Sequence, residues 1–393
     1  MKHLLKAAIL VCVVTLLLSA LSVSTAEAKV NPSYWQAFQN GFSPNAGATP
    51  FRSLNDVAAV SSSNIWAVGS LSNSNSTSQT LIEHWNGSKW SVVSSPDPGL
   101  VFNGLSGIAA VSASNIWAVG SFSTTSNTTQ TLIEHWNGSK WSVVTSPNPA
   151  GSANNSLSDI AVISASDLWA VGSSTSQTLI EHWNGSKWSI ITSPSPGSVQ
   201  DGLNGVAAVT TNNIWTVGSF SNTNSSAQTL IEHWNGSKWS VVTSPSPGSG
   251  IVSLVDVAVV SANNIWAVGS SNGFSTTLIE HWNGTQWSVV TSPNPASISL
   301  LIGIAVVSSS DIWAVGQSLA QMGQTLIEHW NGSAWSVVTS PNQPGSTNNF
   351  LLGIAALSTN DIWAVGGFQS SNNAGHTLTE YWNGSKWSIV PSP

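Results

Sequence analysis

The most regular feature of the sequence is a pattern of short apolar stretches and polar turns that returns seven times. Asn86-Gly87 is a strong hairpin signal between two apolar stretches, and the prolines that follow the second stretch cannot continue a β-ladder. Each copy is therefore predicted to form four antiparallel strands with almost no helix. In the first copy, the four predicted strands cover residues 54–61, 64–70, 80–85 and 89–93.

The tryptophans give the length of the repeat. The first tryptophan of each copy recurs at steps of 51, 52, 46, 51, 47 and 50 residues, which is typical of a propeller, a solenoid or an array. An open solenoid needs distinct polar repeats at its ends, whereas the first and last copies resemble the middle ones. We therefore predict an all-β fold, a seven-bladed β-propeller with four antiparallel strands per blade, over residues 53–393.

The first 28 residues differ from the rest of the chain. A positive start, an apolar run and the Ala26-Glu27-Ala28 site predict a secretory signal peptide at residues 1–28. An uncleaved membrane anchor is the alternative, because the apolar run is nearly long enough to span a bilayer. The only cysteine, Cys12, would leave with the signal, so the exported protein would contain no disulfide. We predict a secreted, extracellular monomer that is free of the membrane after cleavage.

Residues 29–52 form a separate N-terminal segment with a possible extra edge strand. Its YWQAFQN stretch contains Trp35 and precedes the first inner strand, as each KWSVV stretch precedes the next inner strand. Propellers of this kind often close by pairing an N-terminal strand into the last blade, yet residues 386–390 already supply that strand. We predict that the C-terminal strand completes blade seven and that the N-terminal segment adds to, or covers, a sheet edge.

The repeated EHW motif places different side chains on the two faces of each sheet. Strand alternation puts Glu83 and Trp85 on one face together with Trp90, while His84 lies on the opposite face and Lys89 is predicted to join it. Burial of three tryptophans per copy would far outweigh a typical net folding stability. We therefore interpret the tryptophans as packing between neighbouring blades, with sugar-stacking platforms as the alternative.

The polar residues of the repeat also have a structural interpretation. We expect Glu83 and its copies to be held by indole N–H groups or backbone amides of the neighbouring blade, because catalysis needs two unlike groups that converge on one substrate. Tyr381 replaces the histidine in the last copy, which favours packing over metal binding. Three inner-strand aspartates could surround a channel and hold a cation, but we favour solvated side chains at strand starts: Asp56, Asp159 and Asp256.

Composition narrows the possible partners. Only 6% of residues are charged, the formal net charge is −7, and nine lysines and arginines leave no basic stripe for nucleic acid. The residue patterns identify no catalytic, cofactor-binding or metal-binding residue, and they leave the ligand-binding residues unknown. No cofactor is expected.

The IWAVGS strand, followed by an aromatic residue, a tryptophan and a proline-containing loop, resembles the kelch repeat of galactose-oxidase-type propellers over residues 53–393. Only Gly366-Gly367 supplies the glycine pair of that pattern. The tryptophan placement also resembles the tectonin-type repeat of propeller lectins. The copper chemistry of the first family needs a cysteine-modified tyrosine, and the exported chain contains no cysteine. The resemblance therefore implies propeller architecture and no particular activity.

These observations predict a secreted, non-catalytic binding or scaffold protein. Its near-identical blades would hold a repeating polysaccharide, or a protein partner, at several places at once. The alternative is an extracellular enzyme on a propeller scaffold with an unrecognised active site. A sialidase would need an arginine cluster, and Arg52 is the only arginine.

Overall fold

The computed structural model describes residues 50–73, 77–125, 128–223, 226–319 and 322–393. These residues form seven four-stranded antiparallel sheets in which sequential strands are neighbours, and they contain no helix. The predicted fold class, an all-β seven-bladed propeller, is confirmed. Within these ranges, no helical segment has the length and apolar character that a membrane crossing requires.

Within each blade, the four strands follow one another in sequence from the innermost to the outermost position. Blade 1 contains β1 (Phe51–Ser61), β2 (Asn64–Ser72), β3 (Ser78–Trp85) and β4 (Trp90–Val92); blade 2 contains β5 (Phe102–Ser112), β6 (Asn115–Thr125), β7 (Thr128–Trp136) and β8 (Trp141–Val143); blade 3 contains β9 (Asn155–Ser164), β10 (Asp167–Ser174), β11 (Gln177–Trp183) and β12 (Trp188–Ile190).

The remaining blades repeat the same order. Blade 4 contains β13 (Gln200–Thr210), β14 (Asn213–Thr223), β15 (Ser226–Trp234) and β16 (Trp239–Val241); blade 5 contains β17 (Ser253–Ser261), β18 (Asn264–Ser271), β19 (Thr276–Trp282) and β20 (Trp287–Val289). Blade 6 contains β21 (Ser299–Ser308), β22 (Asp311–Leu319), β23 (Gly323–Trp330) and β24 (Trp335–Val337); blade 7 contains β25 (Ser346–Ser358), β26 (Asp361–Ser370), β27 (Gly375–Trp382) and β28 (Trp387–Ile389).

One apolar cluster fills the wedge between each pair of neighbouring blades. Between blades 1 and 2, Trp66, Val68 and Ile82 pack against Leu105 and Trp141. The same type of cluster joins blade 1 to blade 7, where Trp90 packs with Trp363. The ring is therefore closed by the same side-chain packing that joins its other blades, which excludes an open solenoid.

The C-terminal strand completes blade 7, as predicted, because β28 pairs with β27. The backbone N–H of Gly375 donates a hydrogen bond to the carbonyl of Pro50, 3.2 Å away, which ties the start of β1 to the last blade. The signal peptide and the segment around Trp35 lie outside the described residues, so their roles stay predictions.

Candidate ligand-binding face

The two ends of the propeller are built from different connections. At one end, which we call the turn face, the β1–β2 and β3–β4 turns of each blade meet. In blade 1 the indole N–H of Trp85 donates a hydrogen bond to the Ser62 carbonyl at 3.2 Å. At the opposite end, the loop face, lie the β2–β3 loops and the connections between blades. There the backbone N–H of Thr80 donates to the Asp97 carboxylate at 2.7 Å.

A stacked group of three side chains stands at the turn face of blade 1, and we call it the Trp–His cluster. The His84 ring stacks on Trp66 with centroids 4.2 Å apart and an interplanar angle of 27°. Asn64 joins both rings, because its Oδ1 lies 2.8 Å from the indole nitrogen of Trp66 and 2.8 Å from Nε2 of His84. Register explains this arrangement, since Trp66 and His84 are direct partners across β2 and β3.

The Trp–His cluster returns around the ring with small substitutions. Asp167 and Asp311 replace the asparagine in blades 3 and 6, and each lies 2.9 Å from its histidine. In blade 7 the Tyr381 ring packs against Trp363 at 4.9 Å and its hydroxyl donates to the Asn360 carbonyl. The histidine copies are His84, His135, His182, His233, His281 and His329.

Tryptophans from the next blade complete each wedge. The Trp66 ring of blade 1 lies 4.9 Å from Trp136 and 5.7 Å, edge to face, from Trp141 of blade 2. The first and third tryptophans of each repeat are at most 6% exposed, so they are packing residues. The second tryptophan of each repeat is only half-buried and lies at the turn face. This set comprises Trp85, Trp136, Trp183, Trp234, Trp282, Trp330 and Trp382.

The β3–β4 turn is a closed four-residue loop from Asn86 to Lys89. Gly87 has a φ of 92°, which favours glycine, and the Asn86 Oδ1 accepts hydrogen bonds from Ser88 N, Ser88 Oγ and Lys89 N at 2.8–3.1 Å. The prediction that the strand begins at residue 89 is wrong. The backbone N–H of Asn86 donates to the Lys89 carbonyl, which keeps Lys89 in the turn, exposed, and β4 begins at Trp90.

The glutamate of each repeat is fully buried, at 0% exposure in all seven blades. The prediction that indole or backbone N–H groups hold it is wrong. Hydroxyl groups of the preceding blade are the donors in two blades, Ser146 to Glu181 and Ser340 to Glu380, at 2.8–3.1 Å. Cross-strand register explains why the predicted donors do not hold the carboxyl group. Within its own sheet, the glutamate lies opposite a valine or isoleucine of the outer strand and not opposite a tryptophan.

Burial raises the pKa of these seven carboxyl groups to about 8. At Glu83, the charge of Arg52 and the hydroxyl of Thr377 oppose this rise, whereas Asp97 adds to it at Glu134. Most of these carboxyl groups are therefore neutral at pH 7, and they contribute little to the charge of the surface.

Each of the three inner-strand aspartates joins two blades by accepting a backbone hydrogen bond from each, and we call this arrangement the aspartate bracket. The prediction that these side chains are simply solvated is wrong. Asp56 accepts the N–H of Val57 and, from the next blade, the N–H of Ile108, both at 2.8 Å. Asp159 and Asp256 repeat this geometry toward blades 4 and 6. Burial raises the pKa of all three carboxyls, and the charge of Asp256 raises the pKa of Asp56 and Asp159 further.

In the other four blades, glycine occupies the position of the aspartate, because neighbouring atoms pack too closely there for a side chain. A Cβ atom on Gly107 would lie 2.8 Å from the Cα of Asp159, and one on Gly353 would lie 2.7 Å from the Cα of Asp56. Gly107, Gly205 and Gly353 thus have no room for a side chain, because an aspartate of the following blade packs against them, and at Gly303 the Leu352 carbonyl takes this place at 2.9 Å. Sequence alone showed the alternation of aspartate and glycine, but it did not show that the two fit together.

The turn face offers flat aromatic rings, imidazole tips and lysine amines. Burial lowers the pKa of His84, His135, His233 and His281, so these rings are neutral at pH 7. No group of three or more His, Cys, Asp or Glu side chains among the described residues could hold a metal ion. This chemistry suits the binding of a ligand by stacking and hydrogen bonding.

Similar folds are found among solved structures at low sequence identity. A polysaccharide lyase of family PL25, an ulvan lyase bound to -[GlcA(1-4)Rha3S]-, is 10% identical with a TM-score of 0.56, covering 88% of this chain and 97% of that chain. YCF48 bound to a D1 peptide is 13% identical with a TM-score of 0.51, covering 82% and 93%.

A protein of unknown function from Dyadobacter fermentans is 10% identical with a TM-score of 0.54, covering 86% of this chain and 97% of that chain. At these identities the likeness shows the propeller fold alone. No protein-family model and no curated protein sequence matches the chain, so the resemblance to the kelch repeat stays a resemblance.

Proposed function

We propose that the protein is a secreted, non-catalytic binding protein whose turn face holds a repeating polysaccharide at several blades at once. The observation that carries this proposal is the recurrence of one half-exposed aromatic arrangement around the ring. A half-buried tryptophan, Trp85 or its copy, stands at the turn face of every blade, with a Trp–His cluster in six blades and the Trp363–Tyr381 pair in blade 7.

Repetition favours a repeating ligand. A polymer whose units recur can engage several blades together, and linked weak contacts raise the overall affinity by orders of magnitude. The half-buried indoles support a sugar ligand, since the apolar face of a pyranose ring stacks on an aromatic ring. A protein partner is the second candidate, but anchoring residues such as tyrosine and arginine are scarce here, with two Tyr and one Arg in the chain.

A non-catalytic role is supported by the symmetry of the turn face. Hydrolysis or elimination needs an acid and a base, or a nucleophile, that converge on one bond. The turn face instead repeats the same aromatic rings and hydrogen-bonded turns from blade to blade. An enzyme on this scaffold would need one blade that differs from the others around a single pocket.

Polysaccharide binding by the exported protein, residues 29–393, tests the proposal. Binding to immobilised neutral and acidic polysaccharides is expected, and Trp85→Ala together with the same change in neighbouring blades is expected to weaken it stepwise. Leu100→Ala, on the loop face and 78% exposed, is the matched control. Absence of binding to every polysaccharide would contradict the proposal, as would equal losses with the control variant.

Export is tested separately. Mass spectrometry of the protein from the culture medium is expected to show a chain that begins at Lys29. A full-length chain retained in the membrane fraction would favour the uncleaved anchor instead.

A further inference from the structure

The exposed positive charge of the described residues is concentrated on the turn face. Six of the chain's nine lysines and arginines lie in the described ranges, and five of them occupy the last position of a β3–β4 turn. All five lysines are exposed. They are Lys89, Lys140, Lys187, Lys238 and Lys386.

These lysines form a continuous arc. They belong to blades 7, 1, 2, 3 and 4, which are consecutive around the closed ring. Gln286 and Ala334 take the same position in blades 5 and 6. The turn keeps its geometry there, since the Gln286 and Ala334 N–H groups donate to the asparagine Oδ1 at 3.0 Å as the lysine N–H groups do. Lysine is therefore not required by the turn.

Little negative charge opposes this arc. Among the described residues, no lysine or arginine forms an ion pair. The turn-face carboxylates Asp167 and Asp311 lie 2.9 Å from their histidines, with side chains 11% and 17% exposed. The third, Asp361 of blade 7, is partly buried, and burial raises its pKa. The seven repeat glutamates are fully buried between blades. The turn face is thus positive across five blades, although the formal charge of the chain is −7.

We infer that the turn face of blades 7 and 1–4 binds an acidic polysaccharide, with the five lysines contacting its carboxylate or sulfate groups and the half-buried indoles contacting its rings. This inference rests on the proposed function and narrows its ligand class by charge complementarity. One cation per blade fits a polymer that carries about one charge per sugar unit or disaccharide. Nucleic acid carries a far denser line of phosphates and is met by denser basic patches.

The five lysines can be replaced by glutamine, a residue that the same turn position already holds in blade 5. In a variant with all five lysines changed to glutamine, each turn has the residue that blade 5 already carries. Dextran sulfate and dextran are matched probes, because they share one backbone and differ in charge; alginate adds a carboxylate polymer. The wild-type protein is expected to bind dextran sulfate and alginate more tightly than dextran. The variant is expected to lose about 30-fold in affinity for both acidic polymers, roughly a factor of two per exposed charge.

Gln286→Lys with Ala334→Lys gives the opposite test. This pair completes the lysine ring and is expected to raise the affinity for dextran sulfate about fourfold, again roughly a factor of two per charge. Leu100→Lys with Met322→Lys adds the same net charge to exposed loop-face positions, 78% and 56% exposed, and is expected to change little at 0.1 M salt. Equal gains from the two pairs would overturn a turn-face site.

The outcomes separate this inference from the proposed function. Equal binding of dextran and dextran sulfate, unaffected by the five glutamine substitutions, would overturn the acidic ligand and leave a polysaccharide-binding protein. Lysine-dependent binding to duplex DNA or to phosphatidylserine vesicles, with no polysaccharide bound, would overturn both. Absence of binding to all of these probes would also overturn both. Unchanged thermal unfolding of the glutamine variant is the control for folding.

Discussion

The turn face and the loop face use the same seven blades in different ways. Every β3–β4 turn has four residues, a glycine with φ near 90° and an asparagine that accepts the same three hydrogen bonds. The β2–β3 connections differ in length: two residues separate the strands in blade 3, four in blade 7 and five in blade 1. The turn face therefore repeats nearly the same backbone seven times, whereas the length of the loops on the loop face varies among blades.

This difference shows where a multivalent site can exist. Turn positions are fixed by side-chain packing at each wedge and by the hydrogen bonds of the turn itself. Loop positions are solvated, and changes in length there cost little. The half-buried indoles are thus repeated around the ring on the turn face, and a ligand with repeating units can exploit that face.

The largest expected effect is on the wedge beneath the turn face. Trp66→Ala removes a ring that is 3% exposed and packs against Trp136 and Trp141, so we expect a loss of about 3–5 kcal/mol in the free energy of unfolding. Trp85→Ala, at a half-buried position, should cost clearly less. Urea denaturation of both variants measures this difference. Equal losses would contradict the assignment of Trp66 as a packing residue and of Trp85 as a surface residue.

Next in size is the bracket between inner strands. Asp56→Ala removes the acceptor for Val57 N–H and Ile108 N–H, and we expect a loss of about 2 kcal/mol. Asp56→Asn keeps one acceptor oxygen and should cost less. Denaturation midpoints of the two variants at one pH test the bracket. A neutral Asp56→Ala variant would show that the aspartate is dispensable for joining blades 1 and 2.

The buried glutamates predict that stability falls as pH rises. Their pKa is about 8 in the folded protein and close to 4.5 in the unfolded chain, so the unfolded chain loses its protons first. The stabilising contribution is complete below pH 4.5 and is lost as pH rises toward 8, with a slope of at most about 1.4 kcal/mol per pH unit for each carboxyl.

Glu280 is the cleanest position for that measurement, because burial alone raises its pKa. The Glu280→Gln variant is expected to lose less stability than the wild type between pH 5 and pH 8. Nearby charges complicate Glu83, which faces Arg52, and Glu134, which faces Asp97. Stability that rises over this pH range would contradict the burial of neutral carboxyl groups.

The smallest expected effect on stability is that of lengthening a loop on the loop face, and the same change in a turn on the turn face provides a direct comparison of the two faces. A three-residue insertion, Gly-Ser-Gly, after Asn372 in the blade 7 loop lengthens the loop and interrupts the hydrogen bond from Ala374 N–H to the Asn372 side chain, so it should cost about 1 kcal/mol. The same insertion after Ser88 should cost several times more, since it breaks the hydrogen bonds of Asn86 and displaces Lys89. Thermal unfolding of the two insertion variants measures this. Equal costs would show that the turn is as tolerant as the loop.

Much of the fold was predictable from the sequence because the repeat is almost unchanged between blades. Trp66, Asn86 and Gly87 recur at fixed positions, and strand alternation placed Trp85 and Trp90 on one face, as their pairing confirms. Contacts between blades were harder to predict from the sequence. The bracket from Asp56 to Ile108 and the donation from Ser146 to Glu181 join residues that are 52 and 35 positions apart.

The site was harder to predict than the fold. A single sequence does not show that burial neutralises the repeat glutamates, and the low count of lysines and arginines over the whole chain led to the prediction that no basic stripe exists. The lysine at the end of the turn was visible in five of the seven copies, but its concentration on one face required the topology. Counting cations by position in the repeat, and not over the whole chain, was the signal that could have found the arc.

Lysine footprinting tests the turn-face site most directly. A protein of residues 29–393 is acetylated at low reagent concentration, with and without dextran sulfate, and each lysine is quantified by mass spectrometry. We predict protection of Lys89, Lys140, Lys187, Lys238 and Lys386, while Lys29, which precedes the seven repeats in the sequence, serves as the internal reference. Acetylation of the five turn lysines at unchanged rates, under conditions in which the polymer is bound, would contradict a binding site on the turn face.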